Sequence, residues 1–206
     1  MKHGKMVVLE GIDGCGKTTH AKALVDVIPN ALFLASPSWE GIGGHIREIL
    51  TGKREHPGAW PLQMLFAVDR YQIEKDVLIP ALKEGKTVLC DRWWYSGMAY
   101  GAYDGLVRKD IVTLYKQLAT APDLVLHLRV DPTVSVTREG KGGGKDLYDG
   151  NVMRQTSLSY LYDQHLEATY TTDAARLKKL PVFKRIDANR SLEDVRADVL
   201  QAINQH

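Results

Sequence analysis

The chain has 206 residues, 44% hydrophobic and 25% charged, a balance typical of a folded globular domain rather than a disordered one. Its 27 basic and 25 acidic side chains leave a formal charge of +2, too weak a field to hold a nucleic-acid duplex, so no nucleic-acid partner is expected. The only two cysteines, Cys15 and Cys90, cannot build a disulfide framework, no run reaches the ~18 apolar residues that span a bilayer, and the N-terminus is too short in apolar residues for a signal peptide. A cytoplasmic protein with free thiols and no membrane partner is expected.

Along the chain, residues 6–9 read as a first strand and 17–28 as a helix behind it. An apolar run at 31–34 predicts a second strand, followed by helical patterns at 42–50 and 61–82. Pro61 suits the first turn of the longer helix, and Lys83, Glu84 and Gly85 suit its end. Strands at 87–90, 124–128 and 182–186 alternate with helices at 111–119, 133–138, 152–170 and 192–203. Ser191 with Asp194 makes a capping-box-like start for the last helix. Several strands are apolar on both faces, as in sheets covered by helices on each side. The expected fold class is therefore α/β: one three-layer domain over residues 1–206, with a central, mostly parallel sheet flanked by helices. The stretch from Glu139 to Lys145 holds four glycines and reads as a mobile surface loop.

The most specific motif is Gly11-Ile12-Asp13-Gly14-Cys15-Gly16-Lys17-Thr18, which satisfies G-x-x-x-x-G-K-[ST] at each fixed position. It follows an apolar strand and opens a helical segment, the context in which such a loop cradles phosphates. Its glycines let backbone N–H groups approach phosphate oxygens, Lys17 reaches the β and γ phosphates, and the Thr18 hydroxyl ligates Mg²⁺. Cys15 reads as a small residue tolerated where only the backbone matters. ATP with Mg²⁺ is the expected donor and cofactor pair. A second cue is Asp91-Arg92 at the end of the strand at 87–90. In open α/β sheets that edge carries ligands; the acid suits Mg²⁺ or its water shell, and the arginine fork suits a phosphate.

These residues carry a family resemblance. Residues 9–19, Leu-Glu-Gly-Ile-Asp-Gly-Cys-Gly-Lys-Thr-Thr, resemble the phosphate loop of thymidylate kinases, a P-loop nucleoside-monophosphate kinase family. Asp91-Arg92-Trp93-Trp94-Tyr95-Ser96 and the following Ala99-Tyr100 are similar to its Asp-Arg-Tyr-x-x-Ser segment, and Phe66 with Arg70 to its Phe-x-x-x-Arg. The resemblance spans nearly the whole chain. It implies a P-loop kinase fold with a mobile lid at about 139–150, a homodimer, and phosphorylation of dTMP to dTDP for DNA-precursor synthesis. ATP would lie on residues 11–19, with Arg138 stacked on its adenine. The acceptor would meet Asp13, Phe66, Arg70, Arg92, Ser96, Gly97, Tyr100 and, from the lid, Tyr148. Lys17, Asp13, Asp91 and Arg92 would be catalytic, with Thr18 and Asp91 toward Mg²⁺. Gly14 at the variable loop position implies a lid-donated catalytic cation, Lys141 or Lys145, with Lys145 preferred because Asp146-Leu147-Tyr148-Asp149 follows it.

The chain departs from the family on the acceptor side. Ala35-Ser36-Pro37 stands where relatives have Arg-Glu-Pro, Trp39 where many have glycine, and Gly101 where many have glutamine. Arg47, Lys53 or Arg54 are the cations that could replace the missing arginine. Other acceptors with the same chemistry are dUMP, dGMP or a base-modified deoxynucleotide. A deoxynucleoside kinase would need a base near the end of the second strand, where residues 34–37 carry no acid; a non-catalytic nucleotide-binding protein would not need the Asp91–Arg92 pair.

Overall fold

The computed structural model describes residues 4–116, 120–139, 147, 151–171 and 180–206. Five parallel strands are arranged in the order β2-β3-β1-β4-β5: β1 (Lys5–Glu10), β2 (Ala31–Ala35), β3 (Thr87–Asp91), β4 (Leu124–Arg129) and β5 (Val182–Asp187). Each covers the segment expected to be a strand. Val7, Val8 and Leu9 of β1, Val88 and Leu89 of β3, and Leu124, Val125 and Leu126 of β4 are completely shielded from solvent. Their side chains alternate to both faces, so helices must cover both.

Those helices are α1 (Lys17–Val25), α2 (Gly41–Leu50), α3 (Ala59–Ile73), α4 (Ile79–Lys83), α5 (Trp94–Tyr103), α6 (Arg108–Lys116), α7 (Pro132–Glu139), α8 (Val152–Thr171) and α9 (Leu192–Asn204). No described helix is long and apolar enough to cross a membrane. The predicted 61–82 helix is continuous but not uniform: Glu74–Leu78 is a π turn in which the Ile79 N–H bonds Glu74 O, five residues back. Pro80, which can donate no N–H, follows directly, and the widened turn absorbs that missing donor. The α9 cap forms as expected, with Ser191 Oγ accepting from the Asp194 N–H at 3.2 Å. Helix α1 ends three residues before the expected position, ahead of Pro29.

Helix α5 is the element the sequence patterning misses. Seven of its ten residues are buried, so it shows no polar face and no helical period. Its start is held from another strand. The fully shielded Glu10 at the end of β1 accepts the N–H groups of Trp93 (2.7 Å) and Ser96 (3.3 Å) through Oε1. A carboxylate thus satisfies helix-start donors from 83 residues away.

His20 on α1 is only 1% exposed, and its Nδ1 has no hydrogen-bond partner among the described residues. Burial, then the nearby Arg196 and Arg138, lowers its pKa from 6.5 to about 4. The folded protein therefore resists a proton that the unfolded chain accepts. Stability is whole above pH 6.5 and falls as pH drops toward 4, where the loss levels off. At pH 5 this one residue should cost about 2 kcal/mol relative to pH 7. Urea unfolding at both pH values checks this, and His20→Gln should show a correspondingly smaller difference.

Candidate active site

Strand register assembles the site. Leu9 pairs with Asp91 and Ala35 with Asp91, so the exits of β1, β2 and β3 lie side by side. Two backbone bonds fasten the exits together: Arg92 N–H to Leu9 O and Ser36 N–H to Asp91 O, each 3.0 Å. The glycine loop, the Asp91–Arg92 pair and the Ser36–Pro37 segment therefore border one cavity of about 610 Å³.

On the donor side, the loop from Gly11 to Gly16 wraps into α1. Gly11 has φ 143° and Gly14 φ 70°, and a Cβ at Gly14 would meet Ser135 O at 2.5 Å. Glycine is thus required both by the backbone conformation and by the approach of α7. Ser135 Oγ clamps the loop by donating to Asp13 O at 2.6 Å. Gly16 caps α1 without a side-chain bond, leaving that helix's first N–H groups available to an anion. Ile12 and Cys15 turn into the core, at 2% and 1% exposure, and burial raises the Cys15 thiol pKa. Lys17 folds back over the loop, donating to Gly11 O (3.0 Å) and Ile12 O (2.8 Å). The Thr18 hydroxyl donates to Asp91 Oδ2. Arg138 lines the cavity with Thr19, its guanidinium anchored to Ala188 O (2.8 Å) and Arg190 O (3.3 Å).

Directly beside the loop, Arg92 is the hub. It adopts φ 68°, a left-handed conformation unusual for a side-chain-bearing residue. Nη1 donates to Tyr162 Oη (2.9 Å), Gly11 O (3.1 Å) and Ser96 Oγ (3.2 Å). Nη2 pairs with Asp13 and reaches Tyr100 Oη at 3.3 Å. Behind it Ser96 Oγ donates to Glu10 Oε2 at 2.6 Å, and Tyr162 Oη lies 3.2 Å from the same oxygen. Burial raises the Glu10 carboxyl pKa, against the opposing pull of Ser96 and Arg92. For Asp13, burial also pushes upward, but Arg92 and Lys17 outweigh it, so its carboxyl sits below the ordinary value and is ionised. Tyr100 Oη donates to Asp13 Oδ2 at 2.7 Å, and burial holds that phenol well above its ordinary pKa.

At the far end, Phe66 and Arg70 share one face of α3, as their spacing requires. The Arg70 guanidinium carbon lies 5.2 Å from the Phe66 ring centroid and 4.9 Å from that of Tyr115. Arg70 Nε donates to Ser36 Oγ at 3.0 Å, while its buried Nη1 has no hydrogen-bond partner among the described residues. Asp69 secures the neighbouring loop, accepting from Ser38 N–H (3.0 Å) and Ser38 Oγ (2.6 Å). Among the three cations named as possible replacements for the missing arginine, only Arg47 lines the cavity. Its guanidinium lies 3.7 Å from the Trp39 ring centroid, and Nε donates to Ser38 O at 2.9 Å.

The structure therefore gathers Asp13, Gly14, Gly16, Lys17, Thr18, Thr19, Phe66, Arg70, Asp91, Arg92, Ser96, Gly97, Tyr100 and Arg138 around one cavity. Gly11, Ile12 and Cys15 support the loop from behind. Lys141, Lys145 and Tyr148 lie outside the described residues. Sequence reasoning missed Glu10, Tyr162, Ser36 and Gln63. Glu10 had one local signal, an acid ending an apolar strand directly before the loop. Tyr162 comes from α8, and no sequence signal ties it to Arg92.

Comparison with known proteins supports the same assignment from outside the geometry. The thymidylate kinase family model matches residues 9–199. The chain is 33% identical to the thymidylate kinase of Synechococcus sp. (strain RCC307), covering 98% of this chain and 96% of that one. It is 32% identical to that of Pelotomaculum thermopropionicum, covering 98% and 94%. The solved structure of thymidylate kinase from Candida albicans shares the fold, with a TM-score of 0.76 at 22% identity over 98% of this chain and 92% of that one. The chain therefore belongs to the thymidylate kinase family.

Proposed function

We propose that the protein transfers the γ-phosphoryl group of ATP to dTMP, giving ADP and dTDP, in the cytoplasmic supply of DNA precursors. One observation carries this reading. The β1–β3 register brings Lys17 and Arg92 together at one cavity, both donating to Gly11 O (3.0 and 3.1 Å), and the same cavity is lined by the Phe66 ring and by Arg70, whose Nη1 has no partner among the described residues.

In this reading the loop amides and Lys17 hold the donor's phosphates, and Arg138 lies along the adenine. Arg92 binds the acceptor phosphate, held in place from behind by Tyr162, Ser96 and Gly11 O. Ionised Asp13 accepts a hydroxyl of the acceptor sugar, and Tyr100 presses on that sugar where a ribose 2′-hydroxyl would crowd it. Phe66 stacks on the base, Arg70 Nη1 donates to a base carbonyl, and Ser96 with Gly97 borders the base edge. Because the acceptor is already an oxyanion, no general base is needed; the residues align two anions and neutralise charge on the group in flight.

The donor set suits Mg²⁺. Thr18 Oγ1 and Asp91 Oδ2 are hard oxygens already in contact at the cleft, and no described group of three or more metal-binding side chains forms a cage. Mg²⁺ is held by one or two protein oxygens with water and phosphate completing the octahedron. When bound, it neutralises charge on the donor phosphates. The proposal includes a homodimer. Met64, Val68 and Tyr71 form an exposed stripe on α3, 55%, 48% and 53% accessible, at a spacing that suits burial against a second copy. Light scattering at micromolar concentration should give twice the chain mass; a monomer would remove that part.

The deciding experiment follows ADP release from ATP and MgCl₂ with dTMP, dUMP, dGMP and thymidine as acceptors. dTMP should have the highest kcat/KM. Turnover of thymidine alone would replace this reading with a nucleoside kinase, and no turnover at all would leave only nucleotide binding.

A further inference from the structure

Gln63 is absent from every role assigned above, yet its placement is specific. It lies on the face of α3 that carries Phe66 and Arg70, three and seven residues before them, and lines the same cavity. Only 1% of it is exposed. Tyr115 Oη donates to Gln63 Oε1 at 2.9 Å, and burial raises the Tyr115 pKa, keeping the phenol protonated and a donor. With the bond in that direction the amide oxygen faces Tyr115 and the NH₂ turns away from it. Nε2 has no hydrogen-bond partner among the described residues. It rests against the bare Cα of Gly101, where an added Cβ would stand 3.2 Å from Nε2 and 2.6 Å from Ile111 Cδ1. A buried amide NH₂ without an acceptor is costly unless a ligand supplies one.

Two side-chain donors thus belong to residues that line the cavity: Gln63 Nε2, and the buried Arg70 Nη1, which has no hydrogen-bond partner among the described residues. Arginine has no acceptor, and with the Tyr115 hydroxyl donating to Oε1 the amide offers its NH₂ as a donor. We propose that Gln63 is a specificity-determining residue of the acceptor site, its Nε2 donating beside Arg70 to a ring carbonyl and so selecting a 4-keto pyrimidine over a 4-amino one. The inference rests on the reading of this cavity end as the base site of a deoxynucleoside-monophosphate acceptor. A 4-amino group would set donor against donor and leave both protein groups unsatisfied, and an unsatisfied polar edge discriminates more strongly than a change in apolar size.

The test compares the full-length wild type with Gln63→Leu, measuring the KM and kcat for dTMP and the inhibition constant of dCMP against dTMP. Gln63→Leu should raise the KM for dTMP about 10–30-fold. The kcat should stay within about threefold, because the lost contact lies far from the moving phosphoryl group. The gap between dTMP and dCMP should narrow by a similar factor. Tyr115→Phe frees the amide to turn, and it too should narrow that gap; a merely structural role for Tyr115 would lower stability and leave the ratio alone. If Gln63→Leu strands the Tyr115 hydroxyl and fails to fold, Gln63→Leu with Tyr115→Phe removes both partners and carries the same expectation. An unchanged dTMP-to-dCMP ratio in a folded variant overturns the inference and leaves the kinase reading intact. A wild type that turns over no deoxynucleoside monophosphate removes that reading, and this inference falls with it.

Discussion

Arg92→Met should lower kcat/KM for the acceptor by about 10³–10⁴-fold, or about 4–5.5 kcal/mol of transition-state stabilisation. The guanidinium is part-buried and charge-assisted, and five oxygens within its reach fix its aim. With its side chain only 16% exposed, such a cation is worth far more than an exposed one. The substitution also strips Asp13 of its main ion-pair partner, leaving Lys17 at 4.0 Å and Tyr100 at 2.7 Å. The Asp13 carboxyl pKa should therefore rise, and activity should weaken first on the acid side of the pH profile. Arg92→Lys restores the charge without the fork and should recover about tenfold of the loss. Steady-state ADP release with varied acceptor checks all three. A kcat/KM within tenfold of wild type for Arg92→Met would contradict the role.

Lys17→Met should lower kcat by about 10³-fold while the acceptor KM changes little. The ammonium group is 6% exposed and donates to two carbonyls of its own loop. Those bonds hold it at the floor of the phosphate site, ready to exchange carbonyl oxygens for phosphate oxygens. Its charge matters most when negative charge spreads over the transferring group, so the loss should fall on turnover. Single-turnover kinetics separates this from slower product release, which would leave the first turnover fast. The two variants thus load different parameters: Lys17 the chemical step, Arg92 the acceptor's kcat/KM.

The donor half of this site was legible because its chemistry is contiguous. One octapeptide supplies the glycines, the lysine and the hydroxyl, and the apolar strand before it lies in the same window. The strands were legible for a related reason: β1 to β4 are built on short apolar runs, and β5 keeps Val182, Phe183 and Ile186 around two cations. What escaped depends on register. Nothing near Ser36 shows that it will meet Arg70, 34 residues on; that contact exists because β2 pairs with β3 so that Ala35 faces Asp91. Three cations near residue 50 looked equivalent in sequence, but α2 ends at Leu50, so Arg47 on the helix reaches the cavity while Arg54, beyond its end, pairs with Glu48. Helix α5 was invisible because a segment buried on nearly all sides has no amphipathic period, and its cap is a carboxylate on β1.

The left-handed backbone at Arg92 sets persistence against performance. A side chain there costs on the order of 1–3 kcal/mol, which glycine would largely avoid. A randomised library sorted only by survival after heating should drift toward glycine or asparagine at position 92, whereas sorting by product formed should keep arginine. Conformational comfort and chemical competence thus pull this one codon in opposite directions.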